Sequence, residues 1–175
     1  MSGDIDGDGR VDSVTAEAAG EWEWRIVVRR GAGDEARVAV RSVCPRLLGT
    51  ADVNSDSRHE IWLEDGPGNT AQDFNIVSWV GSGLRAAVAS DVDNPLVIGW
   101  GMSGGSTLWC ADADGDGRTD IIQNSFHRTA TGEEVNEQEV VLRLDGGQLL
   151  EVYRGPPRTP LPGTASALVC GAVRS

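Results

Sequence analysis

The sequence predicts an all-β fold of three repeated four-stranded units, and three observations carry that reading. An aspartate-rich nonapeptide recurs three times, the same succession of short alternating runs follows each copy, and no stretch sustains a helical period. Residues 17–21 alone lean towards helix, and Gly20 interrupts them.

The nonapeptides are Asp4-Ile-Asp-Gly-Asp-Gly-Arg-Val-Asp12, Asp52-Val-Asn-Ser-Asp-Ser-Arg-His-Glu60 and Asp112-Ala-Asp-Gly-Asp-Gly-Arg-Thr-Asp120. A β-like run follows each, at 11–15, 60–63 and 119–123. A second run ends in a glycine turn, at 24–33, 74–83 and 139–147, where glycine supplies the positive φ of a hairpin. Third runs occupy 36–42, 84–89 and 148–153, and a fourth precedes the next nonapeptide, at 46–50 and 106–110. Four short strands per roughly 50–60 residues is the pattern of a β-propeller blade. The blades span about 4–45, 46–105 and 106–160, in a single repeat domain of 175 residues.

Residues 166–170 resemble the strand before the third nonapeptide, so a terminal closing strand is expected at about 165–172. On this reading the chain begins with a loop lacking its inner strand and ends with an inner strand lacking its loop. Three blades fall below the usual minimum of about four. Strand exchange between two chains, giving a homodimeric six-bladed ring, is therefore expected. The proline-rich run 156–162 is the tether that places the closing strand.

Oxygen-bearing side chains at loop positions 1, 3, 5 and 9, with a backbone carbonyl at position 7, can converge on one hard cation. Calcium takes six to eight oxygen donors, and glycines at positions 4 and 6 let the loop curl around it. The expected ligands are Asp4, Asp6, Asp8, the Arg10 carbonyl and Asp12 in the first loop. In the third they are Asp112, Asp114, Asp116, the Arg118 carbonyl and Asp120. The second keeps Asp52, Asn54, Asp56, the Arg58 carbonyl and Glu60, but has Ser55 and Ser57 in place of glycine, so it is expected to bind more weakly or to be vestigial. An EF-hand is excluded because position 12 would fall on Thr15, Leu63 and Gln123, none a bidentate acid. Magnesium, which keeps several waters, suits this protein-rich oxygen set less well.

These loops at this spacing resemble FG-GAP/VCBS-type repeats, the calcium-binding propeller modules also found in integrin α-chain heads. The resemblance covers nearly the whole chain and implies a metal loop between the first and second strands of each blade. The Phe-Gly and Gly-Ala-Pro segments of those repeats are missing here, which removes any implication of integrin-like partners.

Acidic residues number 27 against 15 basic ones, giving a net charge of −12, and such a surface repels nucleic acid and anionic membranes. No apolar run reaches the roughly 20 residues of a membrane span, and no signal-type stretch precedes the first loop. Cys44, Cys110 and Cys170 lack metal-type spacing, leaving one disulfide plus a free thiol or three reduced thiols as equal alternatives. His59 and His127 stand in no nucleophile motif, and the acidic cluster at Glu133, Glu134, Glu137 and Glu139 reads as a solvated strand edge, so no enzyme is expected. Of six tryptophans, Trp62 and Trp109 read as core, and Trp24 aligns with Phe74 as blade packing. Trp22, Trp79 and Trp100 are the candidates for exposure, where an indole can stack on a sugar or fill a partner's pocket.

The expected function is therefore a calcium-binding propeller module, holding two to three ions per chain, for extracellular recognition or adhesion of a carbohydrate or protein ligand. It would act as a secreted or cell-envelope protein. A purely structural assembly domain of an envelope protein and a polysaccharide-active enzyme stand as the alternatives.

Overall fold

The computed structural model describes residues 1–65, 71–89, 96–101, 104–132, 134–157, 168–170 and 173–174. Among them every regular element is a strand, and no helix is long and apolar enough to cross a membrane.

The first antiparallel meander is β1 (Ser2–Gly3), β2 (Asp12–Ala18), β3 (Glu23–Arg29) and β4 (Glu35–Arg41). The second is β5 (Pro45–Ala51), β6 (Glu60–Asp65), β7 (Ala71–Val80) and β8 (Gly83–Ala86), followed by the short β9 (Val88–Ala89) and by β10 (Val97–Gly101). The third is β11 (Gly104–Ala111), β12 (Asp120–Arg128), β13 (Glu134–Asp145) and β14 (Gln148–Gly155), and β15 (Leu168–Cys170) and β16 (Val173–Arg174) close the order. β10 pairs with both β7 and β11, joining the second and third meanders into one twelve-stranded sheet that does not close on itself.

Two apolar clusters hold the meanders face to face, and strand alternation decides which residue enters which. On β6 and β7 the even residues Trp62, Phe74 and Ile76 meet Leu108, Ile121 and Leu142 of the third meander. The odd residues Ile61, Leu63, Val77 and Trp79 meet Ile5, Val14, Ile26 and Val28 of the first. The middle meander is thus buried on both faces, which explains the nearly continuous apolar run of β6. The first buries mainly its even face; of its odd residues Val27 is buried, while Ser13, Thr15, Arg25, Arg29, Arg37 and Arg41 are exposed.

Two expectations about the chain ends are corrected. The first loop does have an inner strand, because Ser2 and Gly3 pair with Ser13 and Asp12. The terminal strand is not free: β15 runs parallel to β11 of its own chain, Leu108 opposite Leu168, and Cys170 forms a disulfide with Cys110. The tether residues 158–162 lie outside the described residues, as do 165–167 of the closing strand.

The Cys110–Cys170 bridge spans 60 residues, and Cys44 is free and exposed. A loop of that length predicts that Cys170→Ser costs up to about 4 kcal/mol in urea unfolding, whereas Cys44→Ser leaves the midpoint unchanged.

Candidate metal loops

Each nonapeptide joins the first and second strands of its meander, and all three hairpins close on the same pair of positions. The residue before the loop pairs with position 9 in each: Gly3 with Asp12, Ala51 with Glu60, Ala111 with Asp120.

Within the hairpin, the position-1 carboxylate organises the backbone. Asp4 accepts the N–H groups of Gly7 and Gly9, both at 2.9 Å, and Asp112 accepts those of Gly115 and Gly117 at 2.7 and 2.9 Å. Asp52 accepts Asp56 and Ser57 at 3.2 and 2.9 Å. The position-5 carboxylate then takes the position-7 N–H: Arg10 donates to Asp8 at 2.8 Å, Arg58 to Asp56 at 2.9 Å, Arg118 to Asp116 at 2.8 Å. These bonds turn the chain left-handed at positions 4 and 6, with φ of +78° and +80° at Gly7 and Gly9 and +79° and +83° at Gly115 and Gly117. In the second loop Ser55 and Ser57 hold the same conformation at +61° and +68°, which costs a residue bearing Cβ roughly 1–2 kcal/mol.

The outcome is a convergence of carboxylates. One oxygen each from Asp4, Asp6 and Asp8 lie within 4.8 Å of one another, as do those of Asp112, Asp114 and Asp116. A cation bonded at about 2.4 Å to each oxygen allows separations up to twice that length, so both triads could hold a metal ion. Asn54 stands in the second loop where the others have a carboxylate, and its amide donates to Asp56 at 3.3 Å. That loop borders a small cavity of about 110 Å³ lined by Asn54, Asp56, Arg58 and Glu60.

The position-9 acids sit behind the triads. Asp12 accepts Ile5 and Gly31 N–H, Glu60 accepts Val53 N–H at 3.0 Å, and Asp120 accepts Ala113 N–H at 3.3 Å, all three being buried. Burial pushes the Glu60 carboxyl up to about 8; the Val53 bond opposes that shift, and the charges of Asp56 and Asp52 add to it.

Arginines from outside the nonapeptides complete the picture, and nothing in the nonapeptides announces them. Arg143 of β13 reaches Asp120 at 2.9 Å, Asp116 at 3.0 Å and Asp114 at 3.1 Å. The Asp120 hydrogen bond, with those to the other carboxylates, raises the Arg143 pKa. At Asp114 desolvation works upward, yet the Arg143 and Asp116 N–H hydrogen bonds and the guanidinium charge bring the carboxyl below its ordinary range. The first loop has less: Arg30 reaches Asp6 at 3.3 Å while also pairing with Asp34.

The three loops touch in a row. His59 N–H donates to the Asp4 carbonyl at 2.8 Å, the Arg58 stem lies against Gly7, and Thr119 N–H donates to Ser55 Oγ at 3.1 Å.

The tryptophan expectations divide. Trp62 and Trp109 are core, and Trp22 is 50% exposed. Trp79 is corrected: it is only 8% exposed because its odd position on β7 turns it into the cluster shared with the first meander. Its indole donates to the Gly81 carbonyl at 3.2 Å, and the Arg30 guanidinium lies 5.3 Å from its ring centre. The side chain of Trp100 lies outside the described residues. His127 pairs with the exposed Glu137, but the solvated-edge reading of this acidic cluster is corrected at Glu139, which is buried because β13 lies between β12 and β14; His59 lies 3.4 Å from Thr50 Oγ1.

No protein-family model, curated protein or solved structure matches the chain, so the likeness to calcium-binding repeats rests on the loops themselves.

Two predictions follow from the loop geometry. Alanine has open space at Gly9 and Gly117, so only backbone strain acts there: each Gly→Ala change is expected to lose about 1 kcal/mol in urea unfolding, and Ser57→Gly to gain about as much. Glu60 binds its proton more tightly folded than unfolded. Without divalent ions its contribution is full below pH 4.5 and fades as pH rises to about 8, with a slope of at most about 1.4 kcal/mol per pH unit. Glu60→Gln should flatten that part of the stability–pH curve.

Proposed function

We propose that the chain is a calcium-binding module of propeller type, working outside the cytosol in recognition or adhesion. The observation that carries this is one hydrogen-bond network repeated in three registered hairpins, two of which gather three carboxylate oxygens within 4.8 Å. A carboxylate-rich, all-oxygen donor set suits calcium, and extracellular sites of this class bind at about 10⁻⁴–10⁻³ M. The Cys110–Cys170 disulfide fits the same oxidising, secreted or cell-envelope setting.

Two to three ions per chain would each offset carboxylate repulsion that the fold otherwise leaves to arginine. The first loop fills before the third on this reading, since only the third has a guanidinium spread over three of its acids. Asp12 and Asp120, with the carbonyls of Arg10 and Arg118, complete the ligand sets when the ion is bound, and the second loop with Asn54 and Glu60 is the weakest site. The face-to-face packing of three meanders supports the propeller-type arrangement. No catalytic residue is assigned. A scaffold role is the second reading, favoured by the contacts that tie the three loops into one row.

Isothermal titration with calcium, paired with thermal melts in calcium and in EGTA, tests the proposal. The melting temperature is expected to rise, each site adding about 1.4 kcal/mol once free calcium exceeds its Kd tenfold. Asp6→Ala and Asp114→Ala should each delete one site, and Arg143→Gln should tighten the third loop while weakening the ion-free protein. A melt indifferent to millimolar calcium would overturn the assignment.

A further inference from the structure

Away from the loops, the turn between β2 and β3 lifts Trp22 out of the first meander. Ala19 and Gly20 both donate to the Glu23 carbonyl, and the Trp22 carbonyl accepts Ser42 N–H at 3.1 Å. Ser42 Oγ and Val43 N–H in turn donate to Asp65 of β6. The turn that carries the indole is therefore held to Glu23 of β3 and to Ser42 just past β4, while Trp22 is 50% exposed.

Two grooves flank it. One, of about 500 Å³, is lined by Gly20, Glu21, Trp22, Glu23 and Arg41 among others. The other, of about 350 Å³, is lined by Trp22, Arg41, Ser42, Val43 and Asp65. Trp22 and Arg41 belong to both, so they form a ridge with a small-ligand-sized hollow on each side. An apolar anchor alone would suit many partners; the polar groups narrow the choice. Around the indole stand three carboxylates, of Glu21, Glu23 and Asp65, and one guanidinium, that of Arg41. Carboxylates accept from hydroxyl groups, the guanidinium donates to them, and a flat indole covers the C–H face of a pyranose ring. Three acids to one base, on a chain of net charge −12, repel uronates, sulfates and nucleic acid.

We propose that the Trp22–Arg41 ridge is a binding site for an uncharged, hydroxyl-rich oligosaccharide, one sugar ring stacked on Trp22 and its neighbours lying in the two grooves. This rests on the recognition part of the function proposed above and is independent of its calcium part.

The experiment is an array of neutral glucan, galactan, mannan and xylan oligosaccharides beside oligouronates, probed with the full chain in calcium and in EGTA. Hits are then titrated calorimetrically against Trp22→Ala, Trp22→Tyr and Arg41→Ala. At least one neutral oligosaccharide should bind, with affinity lowered tenfold or more by Trp22→Ala, severalfold by Arg41→Ala and much less by Trp22→Tyr. Because Trp22 is half exposed, the alanine variant should melt within a degree or two of the parent, which separates lost binding from lost folding. Absence of any neutral hit, stronger binding of uronates, or affinity unmoved by Trp22→Ala each overturns the site. Glycan binding that persists in EGTA while calcium titration shows no heat would sink the metal reading alone.

Discussion

The position-1 aspartate is the constraint on which the loops depend. By accepting two backbone N–H groups from residues three and five further on, it commits the chain to left-handed turns at positions 4 and 6 and brings the side chains of positions 3 and 5 round towards its own. The conformation that satisfies the backbone thus concentrates negative charge. Two carboxylates 4.8 Å apart repel by about 1 kcal/mol in water and about 3.5 kcal/mol at an effective dielectric of 20, and each triad holds three such pairs. A cation beside such a hairpin offsets that repulsion. The third loop finds one in Arg143; the first has only the edge of Arg30, whose other contacts draw it towards Asp34 and Trp79.

The same hairpin geometry sets the register of each meander. Because position 9 always pairs with the residue before position 1, the parity of the strand after each loop is fixed relative to the loop. In the middle meander that parity sends Trp62 one way and Ile61 and Leu63 the other, so a sheet buried on both faces still has a unique arrangement. In the first meander it sends arginines, serine and threonine outward, and the stack ends there in a solvated face. Packing between sheets then brings the three loops together in a row.

Much of this was readable in the sequence because the repeat states it three times. The strands after each nonapeptide fall within a few residues of their expected places, and the glycines at positions 4 and 6 do what their spacing implied. What was not readable depends on contacts distant in sequence. β10 fills the gap between the second and third meanders from a segment with little alternation of its own, and β15 docks in parallel on β11, a pairing no local pattern encodes. Trp79 was expected at the surface, yet parity on β7 buries it. Arg143 was invisible as a partner for the third loop, since it arrives from β13 only after the sheet forms.

The second loop shows which substitutions the hairpin tolerates. Two serines replace glycine at left-handed positions, an amide replaces one acid, and glutamate replaces aspartate at position 9, yet the position-1 acid still takes the position-6 N–H, the position-5 acid the position-7 N–H and the position-9 acid the position-2 N–H. Only the second bond to position 1 differs, coming from Asp56 at position 5 where the other loops use position 4. The substitutions do other things. Ser55 Oγ meets Thr119 of the third loop, the next residues after Ser57 are Arg58 and His59, which reach the first, and the longer Glu60 side chain still caps Val53 from a fully enclosed position. Backbone strain at Ser55 and burial of Glu60 are costs carried by the loop that lies between the other two. Its contacts to both neighbours make it the link that holds the first and third loops in one row.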